Sequence, residues 1–259
     1  MSVRESVSVG GTGVAALGVA LGVVGWWAVV VTLHPPPYVL PSPASVAARL
    51  AGNPGLYLQN AAATVEKVLV GGSVGALAGL VLGTLVAHVD LLRDTLVPYL
   101  VALRVLPKIA VAPVLLIYFG LGFQTAVLFI ALISFFPVTI STAAGFERTP
   151  GSHLDLLDSV AAGPFRTFLR VRVPYALPDV FAGLKQAAAL AVVGAVVAEW
   201  LVSTNGLGYL ILISSENIQT SVLLAALVVL LVVGLLVYAG VAAVQWLLLG
   251  PLDRYSSPA

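Results

Sequence analysis

TVEKVLVGGSVGALAGLVLGTLVA, residues 64–87, decides the class of this protein. After Glu66 and Lys67 it holds no further charge, and its remaining apolar run has the length that a membrane span requires, about 20 residues. Gly71, Gly75, Gly79 and Gly83 recur every fourth residue, so a helix presents them on one face. Glycine is common in the chain, with 25 in all, but four in register predict a face where another helix approaches closely. The whole chain agrees with this reading. Hydrophobic residues make up 60% of the 259 and charged residues 9%, against about 25% charged in an ordinary soluble domain. A net charge of +1 offers no basic field for nucleic acid, and the absence of cysteine excludes disulfides, thiolate metal sites and a cysteine nucleophile. His34, His88 and His153 are far apart and make no metal-ligand spacing.

Working outward, the apolar runs predict an all-α integral membrane protein, a single transmembrane domain over 1–259 with about six spans. These fall near 14–33, 64–87, 96–119, 123–145, 180–201 and 222–249. The first run exceeds the apolar core of a secretory signal and has no small-residue cleavage pattern after it, so an uncleaved span is expected. His34-Pro35-Pro36-Pro37 and Leu40-Pro41-Ser42-Pro43 cannot continue a helix and read as a loop. Pro107 and Pro113 bend the third span. Arg4, Arg93, Arg148, Arg166, Arg170, Arg172 and Arg254 all fall on one side of a six-span chain, with Arg49 and Lys67 opposite. The positive-inside bias then puts both termini and the 146–178 loop in the cytoplasm of a cell (inner) membrane protein.

That loop contains GSHLDLLDSVAAGPFRTFLRVRVP, residues 151–174. Leu154, Leu157 and Ala161 keep helical spacing beside Asp155 and Asp158. Gly163-Pro164 breaks the run, and Phe165, Phe168 and Leu169 give a second short helix an apolar face, with Arg166, Arg170 and Arg172 holding it at the surface. Pro174 and Pro178 are expected to end that helix. A bent pair of short amphipathic helices suits docking against another protein.

Here the chain resembles the permease subunits of binding-protein-dependent ABC importers, in the nitrate, sulfonate, taurine and thiamine-precursor group, and thus the type I importer architecture. Their loop carries Glu-Ala-Ala, a glycine four residues on, and a later Phe-x-x-Val-x-Leu-Pro. Phe168-x-x-Val171-x-Val173-Pro174 matches that ending. Asp155 stands at the glutamate, Leu156 and Leu157 at the alanines and Ala161 at the glycine, a departure in which Gly163 could serve the same bend. Leu40-Pro41-Ser42-Pro43, Leu106-Pro107-Lys108-Ile109-Ala110, Tyr118-Phe119-Gly120-Leu121-Gly122, Phe135-Phe136-Pro137, Ala198-Glu199-Trp200-Leu201 and Gly206-Leu207-Gly208-Tyr209 resemble the group in the same order. The resemblance implies that Asp155, Leu157, Asp158, Ala161, Ala162, Gly163, Phe165, Arg166 and Phe168 couple the chain to an ATPase subunit. It also implies an external solute-binding protein and a second permease copy, in a homodimer surrounded by membrane lipid. No Gly-x-x-x-x-Gly-Lys-Ser/Thr phosphate loop occurs, so the chain needs no cofactor of its own and is not an enzyme; ATP and magnesium belong to the partner ATPase.

Charged residues within spans are costly and usually face a cavity or a partner. Arg104 and Lys108 share a helix face and either line a path for an anionic solute or snorkel to the interface beside Pro107. Glu199 either gates the mouth of the pathway or braces a helix, Trp200 either lines the passage or anchors at the interface, and Glu66 and Lys67 mark where the second span meets water. The alternative function is an ion-coupled secondary transporter, which would show internal repeats and paired acids within its spans. No repeat stands out, and Glu199 is the one acid well within a span.

Overall fold

The computed structural model describes residues 7–253, so Arg4 and Arg254 of the charge argument lie outside the described residues. Every regular element among them is helical: α1 (Val7–Leu33), α2 (Pro43–Gly52), α3 (Pro54–His88), α4 (Asp90–Val105), α5 (Ala112–Phe119), α6 (Phe123–Glu147), α7 (Gly151–Ser159), α8 (Pro164–Thr167), α9 (Val173–Val202), α10 (Leu207–Glu216) and α11 (Thr220–Asp253). Five helices are long and apolar enough to cross a membrane, and α4 with α5 makes a sixth if that bent pair is one span. The count agrees with the sequence; several boundaries do not.

The second span begins ten residues early. Asn53 accepts a hydrogen bond from Leu56 N–H at 3.3 Å and Pro54 opens the helix, so capping chemistry starts α3 well before its apolar run. Ser42 caps α2 in the same way, accepting from Ser45 N–H at 3.2 Å ahead of Pro43. The third span is broken rather than gently bent. α4 ends before Pro107, a short 3-10 turn covers Lys108–Val111, and α5 leaves at 97° to α4. Proline has no N–H to give and disfavours helix in the residue before it, which is where Leu106 turns extended. Pro174 and Pro178, expected to end a surface helix, do not. Pro174 lies in the first turn of α9, and Pro178 lies inside it. The 164–202 segment therefore runs on as one helical rod, with a π-helical turn at Phe168–Arg172 joining α8 to α9.

α6 is the central helix, with α3 along one side and α9 along the other. α11 packs on α9 and α10, and α1 touches little besides α2. The apolar side chains left outside on α1 and α11, such as Leu17, Val24, Leu231 and Leu235, face where lipid would be. The four glycines of α3 lie against α6. A Cβ at Gly71 would come within 2.8 Å of the Val127 carbonyl oxygen, at Gly79 within 2.8 Å of that of Phe135, and at Gly83 within 2.6 Å of that of Thr139. At Gly75 it would run into the carbonyl of Ala131. Residues 127, 131, 135 and 139 repeat the same four-residue spacing, so two helix backbones meet along matched ridges.

Candidate functional site

Three places in this bundle hold groups that a purely apolar core would not need. The first is an ion pair at the end of α9 remote from α7 and α8. Glu199 is fully buried, and one carboxylate oxygen accepts from Lys67 Nζ at 3.0 Å and from the Thr64 hydroxyl at 2.9 Å. The other oxygen accepts from Gly208 N–H at 2.7 Å. Lys67 also donates to the backbone carbonyl of Asn205 at 2.8 Å and to its side-chain oxygen at 2.9 Å. Thr64 in turn accepts from Leu207 N–H, and Asn60 from Gly206 N–H, both at 2.8 Å. Together these contacts draw α9, the 203–206 turn and the first turn of α10 onto α3. A carboxylate at the start of α10 also suits the positive end of the helix dipole.

Lys67 is thus not at the water boundary, as the sequence suggests; it is 3% exposed and its partner is 132 residues away. Glu66 is exposed. Gly206 must be glycine twice over, because its φ is +112° and any Cβ would collide with the Glu199 carboxylate. Trp200 stands next in sequence but points out of the cluster, about half exposed. Asn60 and Thr64 escaped the sequence reading, and Lys67 was placed by it at the wrong boundary. Their spacing of four and three residues on one face of a mostly apolar helix was the available signal.

The second place is a cleft of about 190 Å³ between the 3-10 turn, α6 and α9, walled by Lys108, Phe136, Pro137, Ser141 and Gln186 among others. The Lys108 ammonium lies 5.2 Å from the centroid of the Phe136 ring. Phe136 is midway along α6, so Lys108 sits at mid-helix depth and not at a helix end. The side chains of Arg104 and Asp158 lie outside the described ones. A larger cavity of about 460 Å³, with Arg49, Asn53, Asn217 and Gln219 in its wall, opens where α2, α3 and α10 meet, near the start of α3.

The third is the turn between α7 and α8. Ala161 has φ +51°, the left-handed conformation that glycine prefers, and Ala162 N–H returns to the Leu157 carbonyl at 2.9 Å. This is the six-to-one hydrogen bond of a Schellman cap. Gly163 is extended, at φ −64° and ψ 149°, so the bend falls on Ala161 itself and not on the glycine two residues later. Ala161→Gly should stabilise the turn by about 1 kcal/mol, since a Cβ disfavours that conformation by about that much. Slower amide exchange over residues 157–163 would register it, and unchanged or faster exchange would mean the turn is not strained. Leu156, Val160 and Phe165 are 64%, 68% and 75% exposed at this turn, whereas Phe168 points inward. Its ring stacks on Phe146 at 5.6 Å and meets the His88 ring edge-on at 5.3 Å, which ties the segment to the ends of α3 and α6. His153 and Tyr175, 3.3 Å apart, tie α7 to α9.

Residues 75–246 match the family model described as the inner membrane component of binding-protein-dependent transport systems. The chain belongs to that family. It is an ABC importer permease and a multi-pass protein of the inner membrane. A probable ABC transporter permease of Haemophilus influenzae is 35% identical over 86% of this chain and 90% of its own length. The riboflavin transport system permease of Chloroflexus aurantiacus is 34% identical over 82% of this chain and 81% of its own. Among solved structures, the inward-facing MetNI methionine ABC transporter superposes with a TM-score of 0.60, at 18% identity, over 70% of this chain and 91% of the matched one, which shows the fold. The family match takes in the broken α4–α5 pair, the α7–α8 turn and Glu199, while Asn60, Thr64 and Lys67 lie before its first residue.

Proposed function

We propose that this permease forms the solute pathway of an ATP-driven importer by alternating access, with both termini and the α7–α8 turn in the cytoplasm. A separate ATPase subunit binds at that turn, a second permease copy completes the pathway, and an external binding protein delivers a small solute. The observation that carries this reading is the α7–α8 turn. It presents the apolar Leu156, Val160 and Phe165 outward within an arginine-bearing segment, while Phe168 anchors it to α3 and α6. Apolar side chains exposed among charged ones mark an interaction surface, and in the importer reading its partner is the ATPase subunit. A push on Phe165 would be passed through Phe168 to the helix ends, because packed aromatic contacts transmit displacement rather than absorb it.

Phe165→Asp tests this in the reconstituted importer. Burying one phenylalanine contributes about 1.5–3 kcal/mol, so ATPase association should weaken by about tenfold or more, since 1.4 kcal/mol is tenfold. Transport should fall with it while the chain stays inserted and folded. Normal association and normal transport by the variant would remove the α7–α8 turn from the coupling surface.

A further inference from the structure

We propose that the cavity of about 460 Å³ between α2, α3, α10 and α11 is a site for the headgroup of an anionic membrane lipid, a phosphate diester with free hydroxyls as in phosphatidylglycerol. The proposal goes beyond the importer reading and does not depend on it, because both faces of a membrane carry lipid phosphates. Level is the first argument. Asn53 stands just before the α3 span and Tyr57 at the end of its first turn, and Gln219 immediately precedes the α11 span. The cavity therefore lies where two spans enter the membrane, at the depth of lipid headgroups. Aromatic side chains mark the same end of the bundle. Trp200 near the end of α9, Trp27 in the last two turns of α1 and Tyr38 just beyond it are exposed, and Trp26 donates to the Pro41 carbonyl at 3.1 Å. Tryptophan and tyrosine gather at that boundary.

The lining is the second argument. Arg49 supplies a positive charge, and no acidic side chain lines the cavity; Glu216, beside Asn217 in sequence, is exposed and outside the lining. The hydrogen-bonding groups fall into two sets. On the α2 and α3 side, Arg49, the Tyr57 hydroxyl and the Asn53 amide nitrogen are donors, since the Asn53 oxygen already accepts from Leu56 N–H at 3.3 Å. On the α10 and α11 side, Asn217 offers its oxygen, because its amide nitrogen donates to the Ile213 carbonyl at 2.7 Å, and Gln219 offers a whole amide. Donors around a cation suit a phosphate, which a guanidinium grips with two parallel bonds. The acceptors on the other side suit hydroxyls. A choline or ethanolamine head would instead bring a second cation to walls without a carboxylate. Construction is the third argument. Ile218 holds φ +57°, rare for a β-branched residue, in a turn closed by Gln219 N–H on the Ser214 carbonyl at 2.8 Å. That turn fixes the backbone on either side of Ile218, where Asn217 and Gln219 join the lining. The volume falls within the 300–1,000 Å³ of small-molecule sites, enough for a glycerol phosphate group. Leu58 of α3 and Leu227 and Leu231 of α11 are exposed and give acyl chains an apolar surface.

The experiment is thermal unfolding of the delipidated full chain in neutral detergent at matched ionic strength. The probes are the dihexanoyl forms of phosphatidylglycerol, phosphatidic acid and phosphatidylcholine, with free glycerophosphate alongside. Phosphatidylglycerol should raise the midpoint in a saturable way. Arg49→Gln should raise the concentration needed for half the effect by about tenfold or more, as loss of a hydrogen-bonded charge does. Arg49→Lys should keep part of the binding. Arg49 is exposed, so neither change threatens the fold. Gln219→Leu should weaken phosphatidylglycerol and leave phosphatidic acid, which lacks the headgroup hydroxyls, unchanged. No saturable shift from phosphatidylglycerol overturns the proposal, as does an unaltered titration in Arg49→Gln or an equal shift from phosphatidylcholine. Glycerophosphate acting at the same concentration as the lipid would assign the cavity to a soluble phosphate ester and overturn the lipid as its source.

Discussion

Glu199→Ala is expected to destabilise the permease more than any other single polar substitution. The change strands the Lys67 ammonium at 3% exposure and leaves the Thr64 hydroxyl and Gly208 N–H without their shared acceptor. Breaking a buried ion pair from one side costs about 3–5 kcal/mol, because the remaining charge has no opposite charge and no water, and the two contacts of Lys67 with Asn205 do not replace a carboxylate. Glu199→Gln should lose less, since an amide oxygen can still accept from Thr64 and Gly208. Lys67→Met should cost an amount similar to Glu199→Ala by stranding the carboxylate. The combination Lys67→Met with Glu199→Gln should then be better than the sum of its parts, because neither charge is left alone. Thermal unfolding in detergent measures all four. Strict additivity would show that the pair does not interact. A variant that unfolds normally yet no longer transports would make Glu199 a gate and not the brace between α3, α9 and α10 that its hydrogen bonds describe.

Gly75→Leu is expected to have the second largest effect. The space where its Cβ would go is already filled by the Ala131 backbone, and backbone cannot step aside as a flexible side chain can. Overpacking typically costs about 1–3 kcal/mol, and the upper end or beyond applies where both surfaces are helix backbone. The yield of monodisperse protein and the unfolding midpoint should both fall. Gly25→Leu on α1 is the control, because a Cβ there meets nothing within 4 Å. Equal behaviour of the two variants would mean that α3 does not pack on α6 through its glycines.

Much of the fold was legible because membrane insertion writes itself into composition. A span must be apolar for some twenty residues, so five long helices and the approximate ends of most of them follow from the order of residues alone. The α7–α8 bend was legible for another local reason, since it lies where apolar periodicity gives way to Ala161-Ala162-Gly163-Pro164. Proline was a poor guide. Pro107 sits at a 97° break, Pro137 lies inside an unbroken α6, and Pro178 lies inside α9. A missing N–H breaks a helix only where neighbouring packing does not hold the rod straight, and a single sequence does not display that packing.

By itself the sequence determined what is additive along the chain: the class of protein, the helical content, the face of α3 on which its glycines align, and the lack of a phosphate loop. Tertiary structure alone decided which polar groups meet. Lys67 looked like a residue at the edge of water because hydrophobicity averages over neighbours in sequence, whereas its environment is set by Glu199 and Asn205, more than 130 residues on. Lys108 looked like one of two cations on a helix, and the break at Pro107 placed it against Phe136 in the middle of the bundle. Burial of a charge depends on what the rest of the chain brings to it, and that is a property of packing rather than of any local run of residues.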